Sequence, residues 1–215
     1  MISIAVFDPP AWNVAEIRRY ARIMGEDSAS ERLIWECIAE AGTALSYKVC
    51  YTTEDIQHEQ DHLRIGRIVT ASTTLGKALS ECDQALIFAA TIGTPYDRLI
   101  AKYSKLSPAK ALLMQAIGAE RVESLCDAFV ARYAEEHHCS LRPRVSPGYG
   151  DMPLEMQREV FAMLDCPRKI GLTLNESLLM SPSKSVTAIA GITSNLAMQN
   201  EKCLNCTNIG CEYRR

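Results

Sequence analysis

The segment from Arg142 to Gly150 combines residue types that could bind a small ligand carrying a carboxylate and a flat ring. Its prolines stiffen the backbone, and Gly148 permits a close approach that other residues forbid. The planar guanidinium of Arg144 suits a carboxylate or a phosphate, and Tyr149 offers an aromatic face and one hydroxyl. The alternative is a proline-rich connection with surface arginines, which composition alone favours.

A second candidate site lies near the end of the sequence. Cys203, Cys206 and Cys211 fall within nine residues. In a reduced cytosolic chain, three clustered thiols gain little unless a metal holds them, so their spacing indicates zinc or an iron–sulfur cluster. A fourth ligand could come from one of four more distant side chains: His137, His138, Cys139 or Cys166. A tail of free thiols is the alternative.

Composition excludes several classes of protein. The chain has 215 residues, 47% of them apolar, and a net charge of −3. This apolar fraction is too high for a disordered chain, and the slight negative charge argues against a nucleic-acid partner. No run of eighteen apolar residues is present, and the first ten residues lack a basic start, so we expect neither a membrane span nor a signal peptide. The expected location is therefore cytoplasmic.

The elements that must position the candidate sites follow from hydrophobic patterning and capping residues. The uninterrupted apolar run from Ala85 to Ile92 predicts a central strand buried on both faces. Asn13 with Glu16 forms a capping box that opens a helix, and Ser107-Pro108 opens a second helix that runs to about Glu136. Further segments predict a helix capped at Ser28, a helix-initiating Thr94-Pro95, a loop or weak helix over 53–64, a strand over 65–69, and a hairpin of strands 172–180 and 185–192. We expect one domain over 1–194 and a cysteine-bearing tail over 195–215.

Several separated elements after Glu120 occur in the order and spacing of one known family. They are Arg144-x-x-Pro147-Gly148-Tyr149, Pro153, Ile170-Gly171, Leu174-Asn175-Glu176-Ser177 and Met180-x-Pro182-x-x-Ser185-Val186. In this respect the chain resembles the activation, or reactivation, domain of vitamin B12-dependent methionine synthase, in its free-standing form. The resemblance implies an α+β fold, with a twisted antiparallel sheet surrounded by helices.

The resemblance also implies a function. That family binds S-adenosylmethionine and helps to return inactive cob(II)alamin, carried on a separate domain, to methylcobalamin. The implied partners are a cobalamin-binding methionine synthase or another corrinoid protein, and a flavodoxin-like or ferredoxin-like electron donor. The chain is too short to hold the other modules of methionine synthase, so it would be a component of a methyltransferase system and not a complete enzyme.

The resemblance assigns six residues to the S-adenosylmethionine site. Arg144 is similar to the arginine that meets the methionyl carboxylate, and Val145 falls where a small residue offers backbone hydrogen bonds to the adenine. Glu123 aligns with a glutamate near the cationic groups of the ligand, and the remaining three residues complete the loop: Pro147, Gly148 and Tyr149. Large family members have a further acidic residue just upstream of this loop, where this chain has 138–141, so that contact is missing or replaced.

Two other functions compete with this interpretation. The first is a corrinoid activator whose own iron–sulfur cluster, at the C-terminal cysteines, carries the electron. The second is an adaptor for a corrinoid protein that no longer binds S-adenosylmethionine.

Overall fold

The structure is a computed structural model that describes residues 1–25, 27–59 and 61–193. The strands are β1 Ser3–Phe7, β2 Tyr47–His58, β3 Leu63–Ile65, β4 Ile68–Thr70, β5 Gln84–Thr91, β6 Ser140–Leu141, β7 Thr173–Leu174, β8 Met180–Ser181 and β9 Ser185–Thr193. The helices are α1 Val14–Ala21, α2 Ser28–Gly42, α3 Thr73–Ala78, α4 Thr94–Leu106, α5 Pro108–Glu136, α6 Gln157–Leu164 and α7 Cys166–Ile170, with a 3₁₀ turn over Leu154–Met156. None of these helices is long and apolar enough to cross a membrane.

The strands form one main sheet in the order β4-β3-β2-β5-β9-β6, with β1 paired to β2. Every pairing within the described ranges is antiparallel, and the predicted α+β class is confirmed. The predicted central strand is β5, which lies between β2 and β9 and is buried along Ala85–Thr91. Its side chains alternate between the two faces of the sheet, because neighbouring residues of a strand point to opposite sides.

A separate hydrophobic core covers each face of the sheet. On one face, Phe88 packs beside Phe129 of α5, with ring centroids 5.0 Å apart, and this core includes residues of α1, α2 and α4. On the other face, Ile87 and Ala89 pack with residues of α6 and α7. The helices therefore lie on both faces of the sheet. The long helix α5 is the one that the candidate loop, 142–150, can contact.

The caps explain where the helices begin. The side chain of Asn13 accepts a hydrogen bond from the Glu16 amide, as predicted, and Ser107 caps α5 in the same way. The cap of α2 is Asp27 and not Ser28, since the Asp27 carboxylate accepts from two amides of the first turn. The N-cap position of α4 is Gly93, so Thr94 is the first residue of that helix and not its cap.

A buried ion pair ties α5 to the N-terminal segment. Glu120 and Arg121 are 2% and 0% exposed, and their side chains are bonded to each other. The Arg121 guanidinium also donates to the carbonyls of Pro10 and Ala11, at 2.7 and 2.8 Å. Glu120 accepts from the amide of Asn13 at 3.2 Å. The pair thereby holds the chain that leads into α1 against the middle of α5.

Three predicted elements are wrong. Residues 53–58 continue β2 and are neither a loop nor a weak helix, because 53–55 pair with β5 and 56–58 pair with β3. The single strand predicted over 65–69 is a hairpin, in which β3 and β4 turn at Gly66. The predicted hairpin over 172–192 does not form, since β7 pairs with β8 whereas β9 enters the main sheet between β5 and β6. Ser183 is instead held by Asp97 at the start of α4.

Candidate functional site

Arg144 is held at the edge of the sheet by two carboxylates of α5. Its Nη2 atom lies 2.6 Å from Oε2 of Glu123, and its Nη1 atom lies 2.6 Å from Oδ1 of Asp127. Glu123 and Asp127 are four residues apart, so they share one face of the helix. The next residue, Val145, forms an antiparallel bridge with Ile189 of β9. This bridge aligns Arg144 with that face of α5. The predicted pair of Arg144 and Glu123 is therefore brought together.

The electrostatic balance of this cluster is negative. Burial disfavours the charged guanidinium, but the neighbouring Cys126, Asp127 and Glu123 outweigh it and raise the pKa of Arg144 above its usual value. The arginine side chain is 14% exposed, whereas those of Glu123 and Asp127 are 35% and 50% exposed. One guanidinium and two carboxylates give the cluster a formal charge of −1, which favours a ligand that is cationic overall.

The backbone of the following loop is fixed by its own hydrogen bonds. The amide of Tyr149 donates to the Ser146 carbonyl at 3.1 Å, and the amide of Gly148 donates to the Met152 carbonyl at 2.9 Å. Gly148 has a φ of +88°, in the left-handed region that favours glycine. Pro147 is buried beneath the loop, whereas Tyr149 projects from it and is 65% exposed. The tyrosine ring is thus presented to solvent at the tip of the loop.

Asp151 attaches the loop to α3. Its carboxylate accepts from the hydroxyl of Ser72 at 2.6 Å, from the amide and hydroxyl of Thr73 at 2.8 Å each, and from the amide of Thr74 at 3.0 Å. These hydrogen bonds, the Ser72 hydroxyl foremost, hold the pKa of the Asp151 carboxyl well below its usual range. Gly150 has a φ of +61°, and a Cβ there would collide with the side chain of Thr74.

Val145 does not have a free amide. Its N–H donates to the Ile189 carbonyl at 2.9 Å, and its own carbonyl accepts from the Ile189 amide at 2.8 Å. In contrast, the amide and hydroxyl of Ser146 have no hydrogen-bond partner among the described residues. Ser146 therefore offers a backbone donor that a ligand could use, and the role predicted for Val145 would require breaking a bond of the sheet edge.

Sequence reasoning missed Asp127 and Asp151. A signal for Asp127 is present, because Glu123 and Asp127 are separated by one helical turn within a segment that was predicted to be helical. Large members of the family that the chain resembles have an acidic residue just upstream of the loop, and 138–141 of this chain lacks it. Asp127 nevertheless supplies a second carboxylate at Arg144. No signal pointed to Asp151, since its partners in 72–74 are 77 to 79 residues away along the chain.

The predicted metal site is not tested by this structure. Cys203, Cys206 and Cys211 lie outside the described residues, as does the predicted boundary between the domain and its tail. Within 1–25, 27–59 and 61–193, no group of three or more histidine, cysteine, aspartate or glutamate side chains could hold a metal ion.

No protein-family model matches the sequence, and no curated protein matches it. Among solved structures, the chain is similar to a crystal structure of the MetH reactivation domain bound to AdoHcy. The TM-score is 0.65 over 89% of this chain and 78% of that chain, at 14% sequence identity. The two chains share a fold. The likeness agrees with the fold that the sequence motifs implied.

Proposed function

We propose that this chain is an S-adenosylmethionine-binding reactivation module that acts on a cobalamin-carrying partner. The observation that carries the proposal is the Arg144 cluster, found on a fold shared with a reactivation domain that was crystallised with AdoHcy. AdoHcy is what remains of S-adenosylmethionine after its methyl group is transferred. The sequence motifs and the fold both favour the same function.

The groups around Arg144 fit the charges of S-adenosylmethionine. The ligand has one carboxylate and two cationic groups, an ammonium and a sulfonium, so its net charge is +1. The guanidinium of Arg144 suits the carboxylate, because its planar donors match two oxygens at once. Glu123 and Asp127 supply the negative charge that the ammonium and sulfonium require. The cluster charge of −1 and the ligand charge of +1 therefore balance.

The loop after Arg144 would hold the remainder of the ligand. Ser146 has an amide and a hydroxyl without partners among the described residues, and Tyr149 presents an exposed ring beside them. We assign the backbone contact to the adenine to Ser146, because the amide of Val145 is used by Ile189. Pro147 and Gly148 shape the loop, and Asp151 fixes it to α3. These residues position the ligand and perform no bond-making themselves.

When bound, S-adenosylmethionine would supply the methyl group that the cobalt of the partner receives. The contribution of the protein is orientation, which can remove a large part of the barrier to a reaction between two bound groups. The exposed Tyr149 loop would lie towards the corrin ring of the partner. A flavodoxin-like or ferredoxin-like electron donor, and a methionine synthase or related corrinoid protein as the partner, stay predictions of the resemblance.

The proposal is tested by reductive methylation. The chain is mixed anaerobically with a methionine synthase fragment that carries cob(II)alamin but lacks a reactivation domain, together with S-adenosylmethionine and a low-potential reductant. We expect the visible spectrum to change from cob(II)alamin to methylcobalamin, and AdoHcy to inhibit the change. No acceleration over a reaction without the chain, for methionine synthase and for a second corrinoid protein, would contradict the proposal.

A further inference from the structure

Arg144 already has a protein carboxylate on each of its two terminal nitrogens. Nη1 is bonded to Asp127 and Nη2 to Glu123, each at 2.6 Å. A carboxylate that binds end-on to an arginine needs one N–H from each of these nitrogens, and each nitrogen carries two N–H groups. The arginine side chain is only 14% exposed, so little of its surface is left for a third carboxylate. A ligand carboxylate must therefore compete with a carboxylate of the protein.

The two protein carboxylates are not equally easy to displace. Asp127 has a side chain that is 50% exposed, whereas that of Glu123 is 35% exposed. An exposed ion pair contributes little net free energy, because water solvates the separated charges well. Asp127 is also the shorter side chain, and one rotation about its χ1 angle would move its carboxylate away from Arg144. The distances do not distinguish the two pairs, but their exposure does.

We propose that Asp127 occupies part of the carboxylate site of Arg144 in the free protein and is displaced when the ligand carboxylate binds. This inference rests on the proposed function, since it concerns the same site. Asp127 would then be a positioning residue. It keeps the buried guanidinium paired and oriented between binding events, and it lowers the affinity for any ligand whose carboxylate must replace it. Glu123 would remain bonded to Arg144 throughout.

Two opposing effects follow from removing the charge of Asp127. Loss of the competitor strengthens binding of a ligand that uses its carboxylate. Loss of a negative charge weakens binding of any cationic ligand. S-Adenosylmethionine experiences both effects, whereas decarboxylated S-adenosylmethionine, which has no carboxylate, experiences only the second. The decarboxylated ligand has a net charge of +2, against +1 for S-adenosylmethionine, so at low salt the second effect is larger for it. At about 1 M salt, where the Debye length is about 3 Å, the change in overall charge is screened, and the ratio of the two affinities then isolates the competition.

The test is a calorimetric titration of both ligands into the wild type, Asp127→Asn and Glu136→Gln. The control removes a carboxylate from the same helix, where Glu136 pairs with Arg132 and not with Arg144. We expect Asp127→Asn to bind S-adenosylmethionine about 1.5- to fivefold more tightly, the range set by one partly exposed ion pair. The same variant should bind the decarboxylated ligand equally or more weakly, and Glu136→Gln should leave the ratio unchanged.

The outcomes separate this inference from the proposed function. If Asp127→Asn changes both affinities by the same factor, or weakens S-adenosylmethionine more than the decarboxylated ligand, Asp127 does not compete for Arg144 and the inference is wrong. In that case the proposed function still stands, because the wild type binds S-adenosylmethionine. If the wild type binds neither ligand, the proposed function itself fails, and the inference fails with it. Thermal unfolding of each variant confirms that the fold is retained.

Discussion

The buried pair of Glu120 and Arg121 gives a prediction about stability that the structure allows us to quantify. Replacing Glu120 with Met would leave the Arg121 guanidinium, which is 0% exposed, without a carboxylate partner, although it would keep the carbonyls of Pro10 and Ala11 and the ring of Trp12. Removing one member of a buried ion pair costs about 3–5 kcal/mol. For a domain of this size, each kcal/mol lowers the melting temperature by about 2–4 °C, so we expect a decrease of about 6–20 °C.

The double variant Glu120→Met/Arg121→Met provides the matched comparison. It removes the uncompensated charge, so it should be less destabilised than the sum of the two single variants by about 0.5–3 kcal/mol, the range seen for residues in contact. It should not recover fully, because Glu120 also accepts from Asn13 and Ser124, and those donors lose their acceptor. Urea unfolding followed by circular dichroism measures all three. Effects that add within about 0.5 kcal/mol would refute the coupling argued here.

Two further predictions concern the loop that carries Tyr149. Gly150→Ala should be more destabilising than Gly171→Ala in urea unfolding, because both glycines have a positive φ but only Gly150 has the Thr74 side chain where a Cβ would lie. Equal losses of stability, of about 1–2 kcal/mol each, would show that the left-handed backbone conformation alone sets the cost and that the Thr74 side chain adds nothing. Asp151→Asn should destabilise the fold at pH 6, and its difference from the wild type should shrink as the pH falls below about 4, the ordinary pKa of the unfolded carboxyl. This direction follows because the folded pKa of Asp151 is lowered, so its stabilisation is present above that pH and is lost on protonation; a difference that grows on acidification would contradict it.

Local sequence patterns correctly predicted those elements whose residues all lie in the same kind of environment. The apolar run that became β5 is buried along its length, and the capping residues Asn13 and Ser107 start their helices as expected. The predictions failed where distant pairing decided the outcome. Residues 53–58 are polar and lack a strong strand pattern, but β5 and β3 supply partners for them. Similarly, β9 joins β5, 94 to 108 residues before it, and not the adjacent segment in sequence.

The candidate site likewise contains residues that the sequence predicted and residues whose roles depend on distant parts of the chain. Arg144 and Glu123 were predicted from a resemblance in sequence motifs, and the structure brings them together. Asp127 was missed because no single position marks it, although its spacing from Glu123 places both on one helical face. The Val145 amide is used by the sheet because residue 145 is aligned with Ile189 of β9. This register could not be predicted from the sequence, because the sequence does not show which strand lies beside the loop. The Ser146 amide, which has no partner among the described residues, points away from β9 as a consequence of that register.

The most direct test of the account is a calorimetric titration of S-adenosylmethionine into the wild type, Arg144→Ala and Arg142→Ala. Arg142 is the matched control, since it lies in the same segment and donates to the Ser80 hydroxyl and the Lys77 carbonyl. We predict that the wild type and Arg142→Ala bind S-adenosylmethionine, and that Arg144→Ala binds it at least about tenfold more weakly, as expected for loss of a charge-assisted bidentate contact. Equal binding by all three proteins, with thermal unfolding confirming that each is folded, would contradict the assignment of the site to Arg144.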